Sequence, residues 1–245
     1  MTNLLTIQVP QDAKNVRIWF AVPQEDADTI VHDFKVTSAV PVRYDTDSWG
    51  NRIGYAEVAT PAQNQLTIQE DFELTRSETH NVVDAAATRP LTDAERSALS
   101  RFLQPTTYIV VNDHMKKLAA SLNGVDSDAS YHCWVEFFAP RLGWIPADAS
   151  LANIYAEDIK LTEQNKKLVT LTTSTGYNGS DAGKVNFYFG NLDERRVVWS
   201  MGRDLMMQPA QEDGPVNSLS KVYVEIDGKQ STNWTRKCSY TEASL

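Results

Sequence analysis

Cysteine is nearly missing from this chain. Cys133 and Cys238 are the only two in 245 residues. They allow one bridge at most and have no Cys-x-x-Cys spacing, which excludes both a disulfide framework and a thiolate zinc site. Positive charge is also short, with 23 Lys and Arg against 32 Asp and Glu and a formal net charge of −9. The basic clusters, Lys116-Lys117, Lys166-Lys167 and Arg195-Arg196 among them, are isolated doublets. Nucleic acid and anionic membrane surfaces are therefore excluded as partners. Long apolar runs are absent too: no window approaches the ~18 residues of a membrane span. Residues 1–20 have neither a basic start nor an apolar h-region, so the expectation is a cytoplasmic chain. The sequons Asn178-Gly-Ser and Asn233-Trp-Thr carry meaning only for an exported protein. The Gly- and Ser-rich runs 174–183 and 126–130 lack a phosphate-loop pattern and read as loops. No cofactor is expected.

What is present is an ordinary globular composition, 42% hydrophobic and 22% charged, enough to bury a core. Residues 1–80 alternate apolar and polar in short runs, 4–9, 15–22, 30–40, 52–58 and 65–74, broken by Pro, Asn, Asp and Gly, with Asp47-Ser-Trp-Gly50 as a turn. That pattern predicts an antiparallel β domain, one half of a sandwich. A helical connection follows over 81–125, opened by Thr92-Asp-Ala-Glu95 as a capped start and continued near 113–122 up to Gly124. From 126 to 245 the strand pattern returns, at 131–138, 142–146, 168–173, 185–190, 196–201 and 221–227. The fold class expected is α+β, mostly antiparallel β, with few helices.

Three blocks carry a resemblance. HCWVEFFAPRLGWIPADAS at 132–150, YFGNLDERRVVWSMGRDLMMQP at 188–209 and YVEIDGK at 223–229 resemble the C-terminal half of bacterial transglutaminase-like proteins. That superfamily also contains cysteine proteases and peptide N-glycanases. The Gly202-Arg203-Asp204 block resembles one bacterial subgroup, and the strands of 1–80 are compatible with that subgroup's leading β domain. The resemblance implies an N-terminal sandwich-like domain followed by a truncated papain-like sheet over 126–245. It places His132 at the triad histidine and Asp148 at the triad aspartate.

The family's nucleophilic cysteine, which opens a long helix before the histidine strand, has no counterpart. The segment 105–124 resembles what precedes that helix, and seven residues later the chain reaches His132. Strand alternation puts His132, Trp134 and Glu136 on one face and Cys133, Val135 and Phe137 on the other, so Cys133 points away from the imidazole and is expected to be an inert, buried thiol. Cys238 sits in a polar tail and meets His132 only if that tail folds over the site. A hairpin through 137–143 is expected to set His132 roughly opposite Asp148, where a carboxylate can fix the tautomer and stabilise the imidazolium. A buried Asp bonded to a His also simply satisfies two polar groups. Trp134, Tyr131 and Arg203 are the substrate-binding candidates. The bland alternatives are packing for Trp134, a place on the strand's far face for Tyr131, and for Arg203 a structural ion pair with Asp204 or a turn cap. His132, Glu136 and Asp148 do not have metal-ligand spacing, and no metal is expected. His32, His80 and His114 read as surface residues.

Loss of a core helix leaves an apolar sheet face uncovered, at ~25 cal/mol per Å². Either the short helices cover it, or a second copy does in a homodimer, or a cavity remains. The reading that follows is an atypical enzyme: the His132/Asp148 dyad performs general acid and base chemistry of lyase, isomerase, cyclase or hydrolase type on a small carbonyl- or amide-containing substrate. The alternatives are an inactive pseudoenzyme that binds a peptide or protein partner, and a thiol-dependent transamidase or protease using a non-standard cysteine.

Overall fold

The computed structural model describes residues 1–104, 107, 133–156 and 179–241. Strand makes up 42% of the structure and helix 13%, which establishes a sheet-rich α+β fold. The chain divides into two compact units, one of Met1–Ser77, Thr106–Ile109 and Arg195–Leu245, the other of Glu78–Pro105 and Val110–Glu194.

In the first unit, β1 (Thr2–Gln8), β6 (Gln65–Arg76), β3 (Thr29–Ser38) and β11 (Trp234–Ser239) form a four-stranded sheet in the order β11-β1-β6-β3. A five-stranded sheet runs β10-β9-β2-β5-β4, with β2 at Asn15–Ala21, β4 at Val42–Thr46, β5 at Arg52–Ala59, β9 at Val222–Ile226 and β10 at Lys229–Ser231. All pairings are antiparallel. Leu5, Ile7, Leu66 and Ile68 from the first sheet and Val16, Ile18, Phe20, Ala56 and Val224 from the second bury one shared core, as period-2 patterning requires of a sandwich.

The second sheet is covered on its outer face as well. Trp19, Ala21, Ile53, Tyr55 and Tyr223 pack there with Leu205, Met207 and Leu219 from the segment of the first unit that precedes β9. This explains why NVRIWFA in β2 is apolar on both faces and buried after its first residue. The covering segment is irregular over 195–221, where one strand was expected at 196–201. Its carbonyls and amides are instead used locally: Leu205 and Val216 exchange backbone hydrogen bonds, and Gln24 N–H donates to the Val198 carbonyl.

The sequence-based division placed 126–245 together. Strand pairing joins β9 to β2 and β11 to β1, so the segment read as a polar tail is an edge strand of the first sheet. It hides only alternate residues, Trp234 and Arg236 being half-buried while Thr235 and Lys237 are exposed.

The second unit holds α1 (Asp93–Ala98), β7 (Val135–Ala139), β8 (Gly143–Ala147), α2 (Ala149–Ala156) and α3 (Ala182–Phe187). Thr92 and Glu95 form the expected capping box. Residues 185–190 were expected as a strand. Asp181 overturns this by accepting the Lys184 N–H and starting α3. The helix near 113–122 and the strand at 168–173 lie outside the described residues. Among the described residues no helix is long and apolar enough to cross a membrane.

Candidate functional site

The hairpin β7–β8 carries the described part of the site. Its turn closes with Leu142 N–H donating to the Ala139 carbonyl, and Arg141 and Gly143 both take positive φ, 76° and 89°. The ladder runs from Ala139 opposite Gly143 to Val135 opposite Ala147. One further step puts Trp134, rather than His132, level with Asp148. Tyr131 and His132 lie outside the described residues.

Asp148 is wholly buried. It stands one residue past β8, where the chain turns into α2, rather than within a strand. Its Oδ1 accepts the Leu151 N–H at 3.0 Å and its carbonyl accepts the Ala152 N–H, so it caps α2. Its own N–H donates to the Tyr188 carbonyl, and Gly190 N–H donates to Pro146. The segment 188–190 thus fastens the end of β8, with Tyr188 stacked on Tyr155 and Phe189 on Phe137. A carboxylate anchored in this way is held in one orientation.

Other candidates separate. Trp134 is half-buried and Glu136 exposed. Cys133 is exposed, contrary to the buried thiol expected, because it precedes the first ladder pair at Val135 and among the described residues no strand pairs with it. Cys238 belongs to β11, opposite Asn3 in the first unit. Partial burial pushes its thiol up, with Arg236 acting in the opposite direction, which leaves it a weak nucleophile at neutral pH. His32 and His80 are exposed, bonded to Thr75 Oγ1 and Glu78, and His114 lies outside the described residues. Among the described residues no group of three or more His, Cys, Asp or Glu could hold a metal.

Arg203 also lies in the first unit, donating to Asn217 Oδ1 at 3.3 Å. Asp204 has φ 52° and accepts the Thr107 N–H at 2.6 Å. The pair was expected to form an ion pair or cap a turn, and the two residues use separate partners. Sequence reasoning did not foresee the clasp beside them. Asp47 accepts the N–H groups of Trp49 and Asn51, while Asn51 exchanges hydrogen bonds with the backbone of Met201.

No protein-family model matches the chain, and no curated protein matches it. A solved structure described as a "putative cysteine protease" from Cytophaga hutchinsonii aligns with 100% of this chain and 91% of its own, at 10% identity and a TM-score of 0.41. Residue roles do not transfer at that likeness.

Proposed function

We propose that the second unit is a transglutaminase-like scaffold whose Asp148 orients His132 for general acid and base chemistry on a small carbonyl- or amide-containing substrate. The observation that carries this reading is the state of Asp148: a fully buried carboxylate, fixed by the N-terminus of α2 and placed directly after the strand that pairs with the His132-bearing chain. An orienting carboxylate in a triad needs burial to strengthen its hold on the imidazolium and a rigid anchor to fix the ring's tautomer. In this reading His132 takes a proton from a substrate carbon or an attacking water and returns it to the leaving group. In this reading Trp134, level with Asp148 on the extended ladder, and Tyr131 supply the apolar wall. Arg203 is left to its bond with Asn217.

The experiment is a turnover screen over small amides, esters, lactones and α-protonated ketones with wild type, His132→Ala and Asp148→Asn. Asparagine caps a helix as well as aspartate does, so loss of turnover in Asp148→Asn at unchanged thermal stability supports the dyad. Turnover that survives both substitutions refutes it.

A second reading, a partner-binding surface, is favoured by one observation. Val135 and Trp144 on the hairpin are 64% and 40% exposed, and Phe189 beside it is 57% exposed. Phe102 stacks edge-on against Trp144 at 4.7 Å. Aromatic residues left accessible this way suit the core of a protein contact. Trp144→Ser leaves the oligomeric state unchanged in the enzyme reading and weakens association in this one.

A further inference from the structure

In the first unit, Pro23, Gln24, Glu25, Val31, Phe34 and Arg52 line a cleft of about 190 Å³. This is well short of the roughly 300–1,000 Å³ of pockets for drug-sized ligands. Its two charges have opposite sign and do not meet: among the described residues neither Glu25 nor Arg52 forms an ion pair with the other or with a third group. Each is pinned by something else. The Arg52 guanidinium lies over the Tyr44 ring at 4.3 Å and the Phe34 ring at 5.4 Å, cation–π contacts that engage its charge without using up its N–H donors. Glu25 accepts the Val31 N–H through Oε1 at 3.0 Å, so the carboxylate sits against edge strand β3.

The wall between them is rigid. Gln24 Nε2 donates to the Val22 and Arg52 carbonyls at 2.7 and 2.9 Å, and its Oε1 accepts the Arg52 N–H at 3.0 Å. Gln24 therefore ties the end of β2 to the start of β5. Phe34 is itself held edge-on against Tyr44 and tilted against Phe72. Pro23, Val31 and Phe34 supply the apolar surface. A fixed cation, a fixed anion and an apolar wall, in a space of this size, match a small zwitterion with a hydrophobic side chain.

We propose that this cleft binds a free apolar α-amino acid, its carboxylate on Arg52, its ammonium on Glu25 and its side chain against Phe34 and Val31. The site is independent of the His132/Asp148 reading and shares no residue with it. Both charges are solvent-accessible, so the affinity is millimolar and falls with salt.

The test uses the full chain in ¹H–¹⁵N NMR titrations with L-leucine, L-phenylalanine, N-acetyl-leucine, leucinamide and glycine. The expected result is saturable shifts at the Gln24, Val31 and Arg52 amides with leucine and phenylalanine, about fivefold to tenfold weaker binding of the acetyl and amide analogues, and no saturation with glycine. Arg52→Gln removes the preference for leucine over leucinamide, and Glu25→Gln removes the preference over N-acetyl-leucine. Each variant's spectrum reports its fold in the same sample. Arg52→Lys, which keeps the charge without the planar stack, serves if Arg52→Gln does not fold. Absence of saturation up to about 20 mM leucine, or equal binding of the charge-blocked analogues, overturns the proposal.

Discussion

Gly202 lies against the indole of Trp49: a Cβ on Gly202 would stand 2.2 Å from Trp49 Cδ2. The two residues are far apart in sequence, and their contact, with the Asn51–Met201 hydrogen bonds beside it, fastens the covering segment to the outer face of the five-stranded sheet. Gly202 also has φ 88°, where a side chain is strained regardless of space. Gly202→Ala is expected to cost about 2–4 kcal/mol in urea unfolding. Gly214→Ala is the control. It has φ 86° and nothing within 4 Å, so it isolates the backbone strain at about 1–2 kcal/mol. Equal losses in the two variants would show that Trp49 yields at no cost.

Glu225 fastens the same segment from the other side. It is fully buried; Oε1 accepts the N–H groups of Glu212 and Asp213 at 2.7 and 3.1 Å, and Oε2 accepts from Arg17 at 3.0 Å. Arg17 also donates to the Ala210 carbonyl at 2.6 Å. Glu225→Ala leaves two amides without their acceptor and the buried Arg17 guanidinium with only the exposed Glu212 as its carboxylate partner, and about 3–5 kcal/mol of stability should be lost. The double variant Arg17→Met with Glu225→Leu should lose distinctly less, because it removes the charges together. Equal losses in chemical denaturation would mean that the pair is not coupled.

Glu70 supplies a pH dependence. It faces the sandwich interior with no exposed surface; Oε2 accepts from Asn3 Nδ2, and among the described residues Oε1 has no hydrogen-bond partner. Burial raises its carboxyl from 4.5 to about 8, with the Asn3 bond and Arg236 opposing the rise. A folded-state value above the unfolded one means that the native chain keeps a proton the unfolded chain has released. This contribution is fully present below pH 4.5 and is lost as pH rises through about 8. Thermal melts of wild type and Glu70→Gln across pH 4 to 9 should diverge. The wild type should lose stability relative to the neutral variant as pH climbs, and parallel curves would contradict the shift.

In the first unit β1 and β6 were legible because each hides alternate residues, and β2 and β5 were legible as apolar runs between turn residues; the boundaries of all four fall within a few positions of those runs. The capping box at Thr92 was legible because its two side chains are three residues apart. Three features escaped for physical reasons. The run VNFYFG at 185–190 alternates like a strand, and only the Asp181 cap commits it to a helix. The edge strand β11 is polar on its open face, and its pairing with β1 spans most of the chain, so no local window contains the information. Asp148 was identified by resemblance, yet its capping of α2 was missed because no helix was read after the strand at 142–146, although an aspartate just before an Ala-rich run is a helix-start signal. The Gly202-Arg203-Asp204 block was legible as a motif. That it serves the outer face of a sheet depends on Trp49, which sequence spacing does not connect to it.

The measurement that bears most directly on the proposed dyad is the titration of the His132 ring by ¹H–¹³C NMR in wild type and Asp148→Asn, since it requires no substrate. An imidazole held by a carboxylate keeps its proton to higher pH. The wild-type ring should therefore titrate about one unit or more above the ring in the variant, with α2 intact in both because asparagine preserves the cap. A His132 titration that is the same in the two proteins would contradict the account, leaving Asp148 as a helix cap with no part in catalysis.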